Sequence, residues 1–141
     1  MTVRAAGYVI VRKIQSTYEY LLLQASYPDY HWSPPKGHVD PGEDEAQTAL
    51  REVEEESGYK KDDLILHNFE QVQKYVAHGN PKTVVFWLAE LKDPGKDVTL
   101  SHEHKDYRWL PCTEACNLAK FQETKDLFEA CEEFLKSIST N

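Results

Sequence analysis

Residues 37–59 decide the reading: Gly37-His-Val-Asp-Pro-Gly-Glu43, then Asp44-Glu-Ala-Gln-Thr-Ala-Leu50, then Arg51-Glu-Val-Glu-Glu-Glu-Ser-Gly58-Tyr59. Asp40-Pro-Gly-Glu43 has the composition of a turn. Asp44 to Ser57 then reads as a helix, and Gly58 suits the left-handed cap that would end it. Ala46, Ala49, Leu50, Val53 and Ser57 recur at helical spacing and gather on one side, which faces a core. At ~100° per residue Glu52 and Glu56 fall within about 40° of each other, with Glu55 roughly 60–100° round. Three carboxylates therefore share a neighbourhood. Like charges four apart destabilise an exposed helix by about a few tenths of a kcal/mol, and Arg51 offsets only part of the excess. A hard divalent cation, magnesium or manganese, is the countercharge that clustered carboxylate oxygens suit. A generic run of three glutamates is more often a solvated acidic face, so the surrounding sequence has to separate the two.

Working outward, the 141 residues carry 24 Asp+Glu against 16 Lys+Arg, a formal net charge of -8. Residues 43 to 56 hold seven carboxylates against Arg51 alone, a balance of -6, so most of the excess is local to this segment. The acidity argues against general coating of nucleic acid, which needs many basic residues on phosphates, and leaves a small phosphate ligand open. No apolar run approaches the ~18–20 residues that cross a bilayer. The start, Met1-Thr-Val-Arg-Ala-Ala-Gly-Tyr-Val-Ile-Val11, reads as a strand without a small-residue cleavage site. The expectation is an intracellular, cytoplasmic protein with nuclear access open. Cys112, Cys116 and Cys131 cannot all pair and match no zinc spacing, so they read as small hydrophobes in a reducing compartment.

The length suits one domain over residues 1–141, without disulfide or metal staples. Strands are expected at Val3–Val11 and Glu19–Gln24, joined by a turn near Gln15-Ser-Thr17, and a Pro-rich loop follows from Ser26 to Gly42. A second hairpin joins Leu64–Val76 to Thr83–Leu91 across His78-Gly-Asn-Pro81. Val98–Leu100 and Tyr107–Leu110 read as short strands. Leu127, Phe128, Cys131, Phe134, Leu135 and Ile138 place one face of a helix over Thr124–Ile138 on the core. The order implies an α/β or α+β sheet covered by helices.

The segment from Gly37 to Tyr59 resembles the box of the Nudix hydrolase family, G-x5-E-x7-R-E-U-x-E-E-x-G-U, where U is a bulky aliphatic residue. Every fixed position from Gly37 to Gly58 matches, Val53 fills the first U, and Tyr59 departs at the last. The resemblance implies an α/β/α sandwich with a mixed sheet and a catalytic loop-helix-loop that holds metal against a pyrophosphate. It implies Glu52, Glu55 and Glu56 as metal ligands, a structural pair of Arg51 with Glu43, and Gly37 backbone near the metal.

The box leaves the substrate open, so the flanks must speak. Leu21-Leu-Leu-Gln-Ala-Ser26, His31-Trp-Ser-Pro-Pro-Lys36, Asn80-Pro-Lys-Thr83, Phe86-Trp-Leu-Ala89 and Leu100-Ser-His-Glu-His104 are similar to the asymmetrical diadenosine tetraphosphate hydrolases, from about Arg4 to Phe134. A monomer is the expected state, and the likeness implies cleavage of a dinucleoside polyphosphate to ATP and AMP with Mg2+, or Mn2+. It matches Tyr27, His31, Lys36, Tyr75 and Lys82 to positions lining the nucleotide site, and Glu103 to an extra carboxylate beside the metals. A tyrosine face can stack on adenine, and Lys36 and Lys82 can stabilise phosphate charge. Glu55, Glu52 and Glu103 all stay candidates for the general base. His102 and His104, with no third ligand evident, make a poor zinc pattern. The rival readings are another Nudix specificity (a nucleoside triphosphate, a nucleotide sugar or a capped RNA end), a nucleotide sensor without catalysis, and an acidic docking face.

Overall fold

The computed structural model describes residues 2–139. Seven strands form one mixed sheet: β1 (Val3–Ile14), β2 (Thr17–Ala25), β3 (Trp32–Ser33), β4 (Lys36–His38), β5 (Leu64–Ala77), β6 (Asn80–Leu91) and β7 (His104–Pro111). The main path runs β3-β2-β1-β6-β5, with β4 on β1 and β7 on β2. β1 and β6 are parallel, in a register that sets Ala5 against Val84 and Val9 against Leu88, and the other pairs are antiparallel. Three helices cover the sheet: α1 (Glu45–Ser57), α2 (Cys112–Leu118) and α3 (Gln122–Ser139).

Strand alternation sorts the core into two layers. Ala5, Val9, Val11, Tyr20, Leu22, Val84, Phe86 and Leu88 face α2 and α3, meeting Ala115, Leu127, Phe128, Cys131 and Leu135. Ala6, Tyr8, Ile10, Leu21, Leu23, Ala89 and Leu91 face α1, meeting Ala49 and Val53. Each fully buried aliphatic side chain contributes about 1.5–3 kcal/mol. The arrangement is the α+β sandwich expected of the Nudix resemblance.

The helix that carries the acidic run begins where the sequence places it. Asp44 caps α1 by accepting from the Gln47 amide at 2.8 Å, and the Asp44 amide donates to Gln47 Oε1 at 2.9 Å. At the other end Gly58 adopts φ 81°, and its amide donates to the Glu54 carbonyl at 2.9 Å. Tyr59, the departure from the box, is buried and donates its hydroxyl to the Lys96 carbonyl at 2.6 Å. A tyrosine fits because that carbonyl lies where its polar tip ends.

Two expectations need correcting. Val98–Leu100 is not a strand; it forms no ladder, and Thr99 only donates its amide to the Ser57 carbonyl at 2.8 Å while Val98 and Leu100 pack on the α1 layer. Apolar character there serves packing. The Pro-rich stretch is not one loop either. It contributes β3 on β2 and β4 on β1, with the chain bending at buried Pro35 between them and Trp32 entering the core. The three cysteines are free thiols, and burial pushes all of them up, Cys112 to about 12. Among the described residues no helix is long and apolar enough to cross a membrane.

Candidate active site

The site is assembled from the start of β4, one face of α1, and the loops at the ends of β2 and β7. Arg51 organises the first side of it. Its Nε donates to Glu43 Oε2 at 2.7 Å and its Nη2 to Glu43 Oε1 at 3.0 Å. Nη1 donates to Glu52 Oε1 at 2.8 Å and to Glu55 Oε1 at 2.7 Å, and Nη2 also reaches the His38 carbonyl at 3.1 Å. Arg51 and then Thr48, whose hydroxyl donates to Glu43 Oε1 at 2.8 Å, hold Glu43 down to about 2. This fork ties the β4–α1 loop to the helix.

One turn on, the balance reverses. Glu56 is only 5% exposed. Burial, and then the facing Glu52, push it up to about 9. Glu103 adds its negative charge from the β7 side, and the Lys36 amide donates to Glu56 Oε1 at 3.1 Å. Gly37 sits so close to Glu52 that a Cβ there would collide with the carboxylate. A side chain at 37 would therefore force the Glu52 carboxylate out of this place.

Of the basic and aromatic candidates, Lys36 feels the charges of Lys82, Glu56 and Glu52, and Tyr75 packs on the sheet face that meets α2 and α3. Burial, and then Lys82, lower Lys36, and burial lowers Lys82. Neither ammonium makes an ion pair among the described residues. Tyr75 lies directly opposite Lys82 across the β5–β6 ladder. Tyr27, 57% exposed, meets His31 edge-on at 5.8 Å, and His31 meets Phe121 at 6.0 Å. His31 is steadied by Asp29 at 3.1 Å, and Asp29 is in turn paired with Lys120.

A NUDIX domain profile matches residues 1–130. The chain belongs to the Nudix family. The asymmetrical bis(5'-nucleosyl)-tetraphosphatase of Rattus norvegicus is 49% identical to it, over 97% of this chain and 98% of the rat protein. The enzyme of that name from Caenorhabditis elegans is 48% identical, over 96% and 98%. The structure of a C. elegans Ap4A hydrolase binary complex superposes with a TM-score of 0.92 at 48% identity, covering 96% of this chain and 98% of that one. A Nudix hydrolase from M. smegmatis, 19% identical with a TM-score of 0.78, shares the fold.

The sequence nominates four carboxylates in this Nudix chain, and the structure brings two of them face to face. Glu52 and Glu56 are in contact, whereas Glu55 is drawn onto Arg51 by their i, i+4 spacing, leaving its side chain 50% exposed. Among the described residues no three His, Cys, Asp or Glu side chains converge as a ready metal cage. The donor set nevertheless fits magnesium, which takes one or two carboxylates and fills its remaining positions with phosphate oxygens and water. A buried carboxyl pair that must share a proton is a donor set which a divalent cation relieves. Sequence reading missed Phe121, Thr48 and Ser26, and weighed His104 only as a zinc ligand. Phe121 lies in the break between two helical patterns, where an aromatic has no amphipathic face to join. His104 Nδ1 is the only buried side-chain nitrogen or oxygen without a partner among the described residues. A groove of about 510 Å³ between α2 and α3, lined by Cys112, Cys116, Glu129 and Glu132, lies across the sheet from these carboxylates.

Proposed function

We propose that this Nudix protein is a divalent-metal-dependent hydrolase that splits diadenosine tetraphosphate asymmetrically into ATP and AMP by attack of water on a phosphorus. The observation that carries the reading is the Glu52–Glu56 pair with Lys36 beside it and Lys82 beside Lys36, neither ammonium closing an ion pair among the described residues. Carboxylates of that kind suit a cation, and free ammonium groups suit a polyphosphate. The names borne by the rat and C. elegans relatives, at near full coverage, support the choice of substrate.

Glu52 and Glu56 would hold the ion, which we take to be Mg2+ or Mn2+. When bound, it supplies Lewis-acid polarisation of phosphoryl oxygens and a more acidic water. Lys36 and Lys82 bind the phosphate chain and stabilise charge as the anhydride opens. Tyr27, His31 and Tyr75 offer ring faces to a nucleobase. Arg51 and Glu43 keep the β4–α1 loop in place so that Gly37 can lie against Glu52. Among the candidates for accepting the water's proton, Glu55 and Glu52 are both held by Arg51. Glu103 makes no ion pair among the described residues and takes that role in this reading.

The test is a substrate panel with purified protein and magnesium in oxygen-18 water. Diadenosine tetraphosphate should be the preferred substrate, yielding equal ATP and AMP, with label in one of the two. Faster turnover of a nucleotide sugar or a deoxynucleoside triphosphate would overturn the substrate, and two ADP per substrate would overturn the asymmetry.

A further inference from the structure

We propose that Ser26 is a positioning residue whose hydroxyl fixes the Glu103 turn to the aromatic loop carrying Tyr27 and His31. One side chain then sets the spacing between nucleobase seat and water activation. The proposal rests on the roles given above to Glu103, Tyr27 and His31.

The geometry points both ways from one dipeptide. The Ala25 amide donates to the His31 carbonyl at 2.9 Å, and inside that loop the Tyr30 amide donates to the Tyr27 carbonyl at 2.7 Å. The next amide, of Ser26, donates across to the Glu103 carbonyl at 3.0 Å. The Ser26 hydroxyl reaches that carbonyl too, at 2.9 Å, and the His102 carbonyl at 3.2 Å. A hydroxyl has one hydrogen, so it is shared between the two carbonyls.

The hydroxyl is needed because the sheet gives out at this point. Gln24 pairs with Asp106 but Ala25 pairs with His104, so the ladder slips between them and Lys105 bulges. Beyond it the 101–104 turn is closed by long bonds, from the Glu103 amide to Ser101 Oγ at 3.3 Å and from the His104 amide to the Ser101 carbonyl at 3.3 Å. Alanine at 26 would keep the amide bond and lose both hydroxyl contacts. Past the Ala25–His104 pair, only the Ser26 amide would then tie the turn, and the Glu103 carboxylate with it, to the aromatic loop.

Ser26→Ala, with its melt compared to wild type, should lower kcat on diadenosine tetraphosphate by about threefold to tenfold, the range for one lost hydrogen bond acting through placement. Ser26→Thr keeps the hydroxyl and should recover most of that loss. In the Glu103→Gln background Ser26→Ala should cost kcat nothing further, because its effect passes through the missing carboxylate. In the metal-free protein, amide hydrogen exchange should quicken together at residues 25–31 and 101–104. A wild-type kcat in Ser26→Ala, an equal loss in the Glu103→Gln background, or quickening confined to one segment would overturn the proposal. A wild-type kcat in Glu103→Gln alone would sink the role of Glu103, and this role for Ser26 with it, while leaving the substrate assignment standing.

Discussion

At residue 51 of α1 every charge has a partner; one turn later, at residue 56, a carboxyl group is buried against another carboxyl. Both places are acidic and both belong to the same box. Around Arg51 the carboxylates of Glu43, Glu52 and Glu55 converge on one guanidinium, and Glu43 is held far below its usual range. Glu56 makes no ion pair among the described residues and meets the Lys36 ammonium only through its charge, and the side chain is pushed above its usual range by burial and by Glu52. Satisfied charge builds a scaffold. Unsatisfied charge that the fold retains has to be used by something brought from outside, and perturbed groups of that kind mark functional sites.

Glu56→Gln is the sharpest way to break the contrast. It should lower kcat/KM by about 10²–10³-fold, the size seen when a preorganised electrostatic contact is removed. It should also raise Tm in the presence of a chelator, because a neutral amide ends the confrontation with Glu52. A variant that is both slower and more stable is what an unsatisfied functional charge predicts; wild-type turnover at saturating magnesium would remove Glu56 from the site. Gly37→Ala comes next. Its methyl group would drive into the Glu52 carboxylate, and displacement of a reacting group by about 1 Å can cost on the order of 10²-fold. Overpacking would also destabilise the fold by about 1–3 kcal/mol. Steady-state kinetics with a melt separates the two losses, and an unperturbed kcat would place Gly37 outside the chemistry.

Arg51→Ala tests the other region, where the expectation is mainly a loss of stability. An isolated surface pair contributes under about 1 kcal/mol, but a fork that serves four carboxylates, Asp40, Glu43, Glu52 and Glu55, and a carbonyl should cost about 2 kcal/mol to remove. Denaturant unfolding measures it. A larger loss of activity than of stability would mean that the scaffold and the site are not separable, and the comparison would have to be redrawn.

How much of this could be read in the chain beforehand varies with the range of the interaction. The helix from Asp44 to Gly58 was legible because its start, stop and apolar stripe are local features, with a capping box at one end and a left-handed glycine at the other. The two hairpins were legible for the same reason. β3 and β4 were not, since two or three residues carry no periodicity and their strand character comes from β2 and β1. Val98–Leu100 misled because apolar residues that pack and apolar residues that pair look alike in sequence. Within the site, the fixed spacing of the box located Glu52, Glu55 and Glu56 on one helix. It could not tell that Arg51 takes Glu55 and makes no ion pair with Glu56, because that choice lies in rotamers. Ser26 carried no signal at all, its partners being carbonyls 76 and 77 residues away.

The smallest expected effect belongs to Glu43, and its sign separates the two regions by pH alone. Arg51, Thr48 and the Asp40 amide depress Glu43 from 4.5 to about 2. A carboxyl that is more acidic when folded stabilises the protein at every pH above its unfolded value, and that contribution fades as pH falls through the folded one. Wild-type protein should therefore lose stability between pH 4.5 and about 2 faster than Glu43→Gln does, the two curves running parallel at neutral pH with the variant lower. Glu56 bends the other way: its proton is held more tightly in the folded state, so its contribution in the metal-free protein declines as pH rises from 4.5 towards 9. Unfolding followed across both ranges in chelator, for wild type, Glu43→Gln and Glu56→Gln, should flatten the acid limb in the first variant and the alkaline limb in the second. If one substitution flattened both limbs, the paired and unpaired carboxylates would be a single coupled cluster instead of a scaffold beside a site.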